Sequence, residues 1–287
     1  EFIRLARILG KTEDVSMAEE RGYQMKKLIN QYGWDGEYYI DAINDDGERL
    51  GSKQCEEGKI YLIPQLWAVL ADVADDKRRE VLLKSIEKYL ETPLGTLVSW
   101  PAYHKYIFNI GQMTQKPAGV HENGGVYLHP CCWKLAVDSI LGDNEKVQRG
   151  LKKILPFHEE YHEKKCEPYI MCNSYFNEET GYRSGTAGQT WRSATGPWLT
   201  KALIQYVFGI RAEIDGIRLQ PCLPSEWKEC SLTKMFRGAV YEISYFQTQE
   251  GGCNRIAELL VNGGKWDRSY LPYEKGKIYQ VKVYLEK

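Results

Sequence analysis

Two carboxylates and three aromatic side chains surround a glycine in residues 33–39, Gly-Trp-Asp-Gly-Glu-Tyr-Tyr. A sugar site needs this mixture, because aromatic rings stack on the apolar faces of pyranose rings and a protonated carboxylic acid can donate to a departing glycosidic oxygen. Burial beside Trp34 would favour the protonated form of Asp35 that such a donor requires. A plain structural interpretation stays open, in which Trp34 and Tyr38 fill core space and Asp35 shapes the loop.

Two further segments carry groups that can bind an anion. Residues 121–130, His-Glu-Asn-Gly-Gly-Val-Tyr-Leu-His-Pro, place His129 after paired glycines that allow close approach of the backbone. Residues 191–198, Trp-Arg-Ser-Ala-Thr-Gly-Pro-Trp, place hydroxyls and free N–H groups directly before a predicted helix. Structural alternatives remain, because His129 can be a hydrogen-bonded core residue and either Ser193 or Thr195 can be an ordinary N-cap.

Residues 158–162, His-Glu-Glu-Tyr-His, form an HExxH pattern. On a helix, His158 and His162 would share one face with Glu159 as a base, so a zinc hydrolase is the competing enzyme class. The surrounding stretch is dense in charge, which is typical of a solvated helix face. A catalytic zinc site is instead shielded and supported by further hydrogen-bonding groups. We therefore predict no metal site.

The elements that position these segments are predicted mainly as helices. Apolar residues recur at helical spacing in residues 2–9, 16–32, 77–91, 131–141, 144–155, 157–165 and 197–209. The polar, glycine-bearing segment 33–58 precedes the apolar run 60–73, and its length indicates a functional loop. Helices that alternate with long loops and short turns are typical of a closed ring of antiparallel helix pairs, with the long loops at one end.

The pattern changes after Gly209. Short stretches rich in β-branched and aromatic residues, separated by Gly, Pro and Asn, follow at 214–219, 239–247, 255–261 and 277–286. We therefore predict a helical domain over residues 1–210 and a β domain over residues 211–287.

The composition argues against several classes of protein. Lysine and arginine number 38, and aspartate and glutamate 39, so no net field steers the chain toward nucleic acid or an anionic membrane. No apolar run approaches the roughly 20 residues that span a bilayer. Eight cysteines without a repeated CxxC indicate reduced thiols in a cytoplasmic protein. Because helical spacing already starts at Phe2, we expect the chain to begin inside a larger architecture.

Many short segments, taken in order, resemble the glycoside hydrolase family of cellobiose, cellodextrin and chitobiose phosphorylases. The matching segments are WDGE at 34–37, DDGERLGS at 45–52, EGKI at 57–60, PQ at 64–65, WPAYHKY at 100–106, HENGG at 121–125, EPY at 167–169, WRSATGPW at 191–198, GIR at 209–211, DG at 215–216, PCLPSEW at 221–227 and FRG at 236–238. The resemblance implies a mainly α fold with a β domain, namely part of an (α/α)6 barrel followed by a C-terminal β-sandwich-like domain.

The same resemblance implies roles for individual residues. Asp35 would be the general acid, and phosphate would be held by His129 with the turn Ser193, Ala194 and Thr195. Trp34 and Glu122 would line the sugar subsites. Phosphate would attack the anomeric carbon opposite the leaving group, so that a β-linked disaccharide or oligosaccharide yields a sugar 1-phosphate and a free sugar with inversion. Inorganic phosphate is a co-substrate in this scheme, and no cofactor is implied.

Departures from the family pattern concern the acceptor sugar. They are Asp41 for a usual arginine, Gln112 and Lys116 where an acid and a tyrosine are common, His121 for a lysine and Asn173 for a glutamine. The family's N-terminal β-sandwich and the first part of its barrel have no counterpart here. We therefore expect the missing N-terminal part as a partner, with a homodimer implied by the family. A non-catalytic carbohydrate-binding or scaffold fragment is the alternative.

Overall fold

A computed structural model describes residues 2–156, 164–247 and 252–286. The α-helices are α1 Phe2–Ile8, α2 Thr12–Leu28, α3 Leu62–Leu70, α4 Asp76–Tyr89, α5 Leu128–Ile140, α6 Asn144–Ile154 and α7 Thr195–Ala202. A π-helical turn follows α2 at Ile29–Gly33 and another follows α7 at Leu203–Val207. The helix predicted over 157–165 and the HExxH histidines, His158 and His162, fall on residues 157–163, outside the described residues.

Short strands occur throughout the chain. They are β1 Ala42–Ile43, β2 Arg49–Leu50, β3 Ile60–Tyr61, β4 Glu91–Thr92, β5 Gly95–Thr96, β6 Ser99–Trp100, β7 Val126–Tyr127, β8 Ser174–Tyr175, β9 Ala187–Gly188, β10 Ile210–Ala212, β11 Gly216–Leu219, β12 Glu229–Phe236, β13 Ala239–Gln247, β14 Arg255–Val261, β15 Gly264–Lys265, β16 Tyr270–Pro272 and β17 Ile278–Glu286. The fold therefore mixes helices with several small sheets and one larger sheet, where the sequence predicted a mainly α chain with a β domain.

The first of two compact units comprises residues 1–91, 97–118 and 122–124. Its α3 carries the fully buried Leu62 and Leu66, and Asp75 caps α4 by accepting the N–H of Arg78 at 2.9 Å. Gln65 of α3 is also fully buried. Its side-chain amide donates to the Tyr39 carbonyl at 2.7 Å and accepts the Tyr39 N–H at 2.8 Å. Gln65 thus fixes the segment after α2 to α3.

The long polar loop contains a hairpin of β1 and β2. Asn44 shapes its tip, because the side-chain oxygen accepts the N–H groups of Asp46 at 3.1 Å and Glu48 at 2.8 Å. Ala42 pairs with Leu50 across the hairpin. The chain therefore reverses between the segment that holds Asp35 and the residues after β2.

The second compact unit comprises residues 92–96, 119–121 and 125–287. Within it, α5 packs against α6 and α7 and buries much of its length, including Leu128, Cys132, Leu135 and Val137. Asp143 caps α6 by accepting the N–H of Lys146 at 2.9 Å. Strands β7, β8 and β9 form a small sheet beside α5, and β8 lies at its centre.

The larger sheet of the second unit has the order β12-β13-β17-β14-β15. Strands β13 and β17 are parallel, and the remaining neighbours are antiparallel. Tyr241 and Tyr245 of β13 are completely buried on one face, as the two-residue period of a strand requires. A second sheet joins β10, β11 and β16.

The two compact units divide the chain differently from the predicted boundary at 210/211. The second unit holds helices α5–α7 together with strands β10–β17, whereas the predicted boundary separates stretches by type of secondary structure. That boundary stays a prediction. No helix within the described residues is both long and apolar enough to cross a membrane.

Candidate active site

Asp35 lies in a tight turn in the first unit. The turn begins after the π-helical turn that ends at Gly33, and the Asp35 N–H donates to the Tyr38 carbonyl at 2.9 Å. The Ile40 N–H donates to the Gly33 carbonyl at 2.8 Å, which closes the loop. Gly36 has a φ of +93°, a conformation that favours glycine. Backbone geometry therefore fixes the position of the Asp35 side chain.

The Asp35 carboxyl is buried among polar groups. Its side chain is 7% exposed, and its Oδ2 accepts the Ser52 hydroxyl at 2.9 Å and the Lys53 N–H at 2.8 Å. The Arg49 guanidinium lies 3.7 Å from Oδ1. The sequence predicted burial for this carboxyl, but it did not predict the hydrogen-bond donors and the guanidinium around it.

Trp34 has its own set of neighbours. Its ring meets Tyr39 edge to face at a centroid distance of 5.0 Å, and the Arg78 guanidinium lies over it at 5.5 Å. The ring lines a cavity of about 330 Å³ together with Asp75 and Val81. Trp34 therefore has one face packed against the protein and contributes to an open pocket.

Two residues predicted to line the acceptor site, Gln112 and Lys116, lie in the segment 112–116 of the first unit. Lys116 forms an ion pair with Glu122, while the exposed Gln112 begins a 3₁₀ turn. Asn123, which is completely buried, donates to the Lys116 carbonyl at 2.7 Å and accepts the Tyr103 N–H at 2.7 Å. The structure thus brings Lys116 and Glu122 together.

A cavity of about 400 Å³ lies on the same segment. It is lined by Tyr103, His104, Tyr106, Thr114, Gln115, Lys116, Pro117 and Ala118. Nδ1 of His104 lies 2.7 Å from Oε1 of Glu57, and the hydroxyls of Tyr103 and Tyr61 are hydrogen-bonded at 2.7 Å. Sequence reasoning assigned no role to Tyr103, His104 and Tyr106, although they belong to the matching segment at 100–106.

His129 lies at the second position of α5 in the second unit. Its ring contacts Trp133 at a centroid distance of 4.7 Å and Trp198 at 5.7 Å. Nε2 is buried and has no hydrogen-bond partner among the described residues. Burial lowers the pKa of His129 below its ordinary value, which favours the neutral ring. A buried polar atom without a partner is a feature that a polar ligand would satisfy.

The turn Ser193–Ala194–Thr195 leads into α7, which begins at Thr195, two residues before the predicted helix start at 197. The hydroxyls of Ser193 and Thr195 lie 3.0 Å and 2.9 Å from the Cys172 carbonyl, and the Thr195 N–H donates to Ser193 Oγ at 2.9 Å. Ala194 is exposed, and a Cβ at Gly196 would meet no atom within 4 Å. The hydroxyls are engaged inside the protein, while Ala194 is exposed and a side chain at Gly196 would enter open space.

His121 and Asn173 belong to the second unit. Nδ1 of His121 lies 2.7 Å from the Ser174 hydroxyl. The Asn173 amide donates to the Tyr127 hydroxyl at 3.2 Å, and its Oδ1 is buried with no partner in the part of the chain that the structure describes. The two neighbours of Asn173 therefore contact the other predicted site residues: Ser174 contacts His121, and Cys172 contacts the turn at Ser193 and Thr195.

The described residues contain no group of three or more side chains that could hold a metal ion. The two histidines of the HExxH pattern lie outside those residues. The predicted site residues are divided between the two units: Trp34, Asp35, Gln112, Lys116 and Glu122 belong to the first, and His121, His129, Asn173 and residues 193–195 belong to the second.

Comparisons with known proteins identify relatives of the chain. Residues 1–209 match the family described as the glycosyl hydrolase 94 superfamily, catalytic domain. A solabiose phosphorylase of Paenibacillus borealis is 33% identical over 246 residues, which are 85% of this chain and 32% of the relative. A 3-O-beta-D-glucopyranosyl-beta-D-glucuronide phosphorylase of the same species is 30% identical over 97% of this chain and 36% of the relative. The chain spans about a third of the length of these relatives.

A solved structure shares the fold. The crystal structure of a GH78 family rhamnosidase of Bacillus sp. GL1 aligns with a TM-score of 0.50 and 17% sequence identity. The alignment covers 85% of this chain and 23% of the rhamnosidase. At this identity the similarity concerns the fold alone.

Proposed function

Because the chain belongs to the glycosyl hydrolase 94 superfamily, we propose that the whole protein cleaves a β-linked disaccharide or oligosaccharide with inorganic phosphate. The products are a sugar 1-phosphate and a free sugar, formed with inversion. The two phosphorylases named above support this class of reaction. The observation that carries the proposal is the Asp35 carboxyl, which is buried and fixed by hydrogen bonds inside a segment that matches the family.

We extend the proposal to the architecture. Helices of residues 1–210 form part of an (α/α)6 barrel, and residues 211–287 form a β-sandwich-like domain. The family match, which ends at residue 209, and the succession of strands after it support this division.

In the proposed mechanism Asp35 donates a proton to the glycosidic oxygen while phosphate attacks the anomeric carbon from the opposite side. A hydrolase must activate water with a base, whereas phosphate is already anionic. One carboxylic acid together with a phosphate site is therefore sufficient. The carboxylate left on Asp35 is stabilised by the two donors at Oδ2.

We propose that phosphate binds beside His129 and the turn Ser193–Ala194–Thr195. The buried Nε2 of the neutral ring can carry the hydrogen and donate it to a phosphate oxygen. Ala194, which is exposed, and Gly196 can supply N–H groups at the start of α7, where the helix dipole favours an anion. The hydroxyls of the turn hold its shape.

The acceptor sugar is proposed to bind in the cavity lined by Tyr103, Tyr106 and Lys116. The exposed ring of Tyr106 can stack on a pyranose, and the pair of Lys116 with Glu122 offers a donor and acceptors for its hydroxyls. Asn173 and His121 replace residues usual in the family, so the identity of the acceptor has to be measured.

The test uses the whole protein with phosphate and a panel of β-linked disaccharides. We expect release of a sugar 1-phosphate from at least one of them, and Asp35→Asn should reduce this turnover by roughly 100-fold or more. The amide oxygen of the variant can accept the same two hydrogen bonds, so its thermal unfolding should match the parent. Near-normal turnover by Asp35→Asn would refute the assignment. A binding or scaffold protein would consume no phosphate with any sugar.

A further inference from the structure

The two oxygens of the Asp35 carboxyl have different surroundings. Oδ2 accepts both the Ser52 hydroxyl, at 2.9 Å, and the Lys53 N–H, at 2.8 Å. The nearest group described at Oδ1 is the Arg49 guanidinium, which is 3.7 Å away. A carboxylate oxygen has about two favourable lone-pair positions, so Oδ2 is fully occupied.

This asymmetry decides which oxygen carries the proton of the acid. A proton placed on Oδ2 would have to displace one of its two donors, whereas a proton on Oδ1 leaves both hydrogen bonds in place. We propose that Ser52 is the positioning residue of the general acid, and that with the Lys53 amide it holds Oδ2 so that Oδ1 carries and delivers the proton. This inference rests on the proposed function, in which Asp35 is the proton donor.

The step balances with phosphate as the only other reactant. The O–H bond at Oδ1 breaks as a new O–H bond forms on the glycosidic oxygen, and the bond between that oxygen and the anomeric carbon breaks as a phosphate oxygen bonds to the same carbon from the opposite side. The electron pair of the broken O–H bond stays on Asp35 as a carboxylate charge. Ser52 and the Lys53 amide already point at this carboxylate, so they stabilise it without rearranging.

Burial and hydrogen bonding fix the orientation of the Ser52 hydroxyl toward Asp35. It is completely buried, and its hydroxyl oxygen accepts the Gln54 N–H at 3.2 Å, which leaves the hydroxyl hydrogen for Asp35. The preceding Gly51 has a φ of +76°, and a Cβ there would lie 2.8 Å from the Asp41 nitrogen. The chain at Gly51 therefore passes close to Asp41 at the base of the β1–β2 hairpin, and this close approach determines where Ser52 lies.

The experiment compares Ser52→Ala and Ser52→Thr in the whole protein, using the disaccharide found in the panel. We expect Ser52→Ala to lower kcat by roughly 10- to 100-fold with little change in KM, because the lost hydrogen bond reaches a charged group. Ser52→Thr keeps the hydroxyl and should recover most of the loss. Ser139→Ala is the matched control, since it removes a buried hydroxyl that donates to the Leu135 carbonyl at 2.8 Å.

The pH profile of kcat separates positioning of the acid from a merely structural role. Removing a donor to the carboxylate disfavours its charged form, so the alkaline limb, where the acid loses its proton, should move to higher pH in Ser52→Ala. Arg49 and Tyr38 also face Asp35 and are unchanged in all variants. In the Asp35→Asn background, Ser52→Ala should add almost no further loss, because the two residues act as one unit.

Two results would overturn the inference. One is a Ser52→Ala variant with parental kcat and an unmoved alkaline limb. The other is an equal loss in Ser52→Ala and Ser52→Thr with the limb unmoved, which would make Ser52 structural. Either result, combined with an inactive Asp35→Asn variant, leaves the proposed function standing. Active Asp35→Asn or an inactive parent protein would contradict the proposed function itself.

Discussion

In the proposed phosphate site, His129 would bind an anion without carrying a charge itself. Its ring lies against Trp133 and Trp198, and this burial lowers its pKa. A neutral imidazole offers one N–H and one lone pair, so it can recognise phosphate by a hydrogen bond without the desolvation cost of a buried cation. The unpartnered Nε2 is the atom available for that bond.

Replacing this ring tests the phosphate site. In the whole protein, His129→Ala should raise KM for phosphate by roughly 10-fold or more, the effect of losing a hydrogen bond to a charged group. KM for the disaccharide in the same variant is the internal control and should change much less. Initial rates at varied phosphate and fixed sugar give both values. An unchanged KM for phosphate would show that His129 is a packing residue.

Residue types and order were sufficient to predict Asp35, His129 and the turn before α7 as candidates. The family match supports the resemblance on which those roles depend. The partners of Asp35 were not predictable in this way. Ser52 lies 17 residues along the chain from Asp35, and only the crossing at Gly51 brings it within hydrogen-bond distance. The engagement of the Ser193 and Thr195 hydroxyls by Cys172 likewise depends on tertiary structure.

At the scale of elements, regular periodicity was a reliable guide. The predicted helices 77–91 and 144–155 correspond to α4 and α6, whose capping aspartates mark where each helix begins. Strand β12 was not predicted: its half-buried side of Cys230, Leu232, Lys234 and Phe236 is interrupted by a lysine, and the opposite side carries the exposed apolar Met235. The two-residue strands of the loops were missed as well, since their pairing depends on neighbours distant in the sequence.

Asn144 connects helix α6 to two segments of the second unit, one before β12 and one between β13 and β14. Its side-chain amide donates to the Leu223 carbonyl at 2.6 Å and to the Cys253 carbonyl at 3.3 Å. Gly252 packs closely, because a Cβ there would lie 2.4 Å from the Asn144 Cβ. The first residue of α6 therefore stabilises two connecting segments at once.

We expect Asn144→Ala to lower the free energy of unfolding by about 1–3 kcal/mol, because two buried carbonyls lose their donor. Asp143→Ala is the matched control: it removes the cap of the same helix and should cost only about 1 kcal/mol. Urea unfolding followed by tryptophan fluorescence gives both values. A loss in Asn144→Ala below that of the cap variant would mean that the two carbonyl contacts contribute little.

At the scale of the whole chain, the first unit presents an unusually apolar surface. Helices α1 and α2 bury only Ala6 among their described residues. We define the α1–α2 face by their large exposed apolar side chains, Phe2, Leu5, Ile8, Leu9, Met17, Tyr23, Met25 and Leu28. An apolar groove of about 530 Å³ continues this face along Tyr32, Ile43 and Trp67. A net charge of −1 opposes association only weakly.

Residues 1–287 produced by themselves should therefore self-associate through the α1–α2 face, because burying its exposed apolar side chains removes them from water. We expect the weight-average mass in sedimentation velocity to rise with protein concentration, together with strong binding of the dye ANS. Leu5→Glu combined with Met25→Glu should reduce both signals, since charged side chains on the face oppose its burial. Met235→Glu, at a residue 72% exposed on β12, is the control and should leave both unchanged. A monomer at every concentration, without dye binding, would show that the α1–α2 face does not mediate self-association.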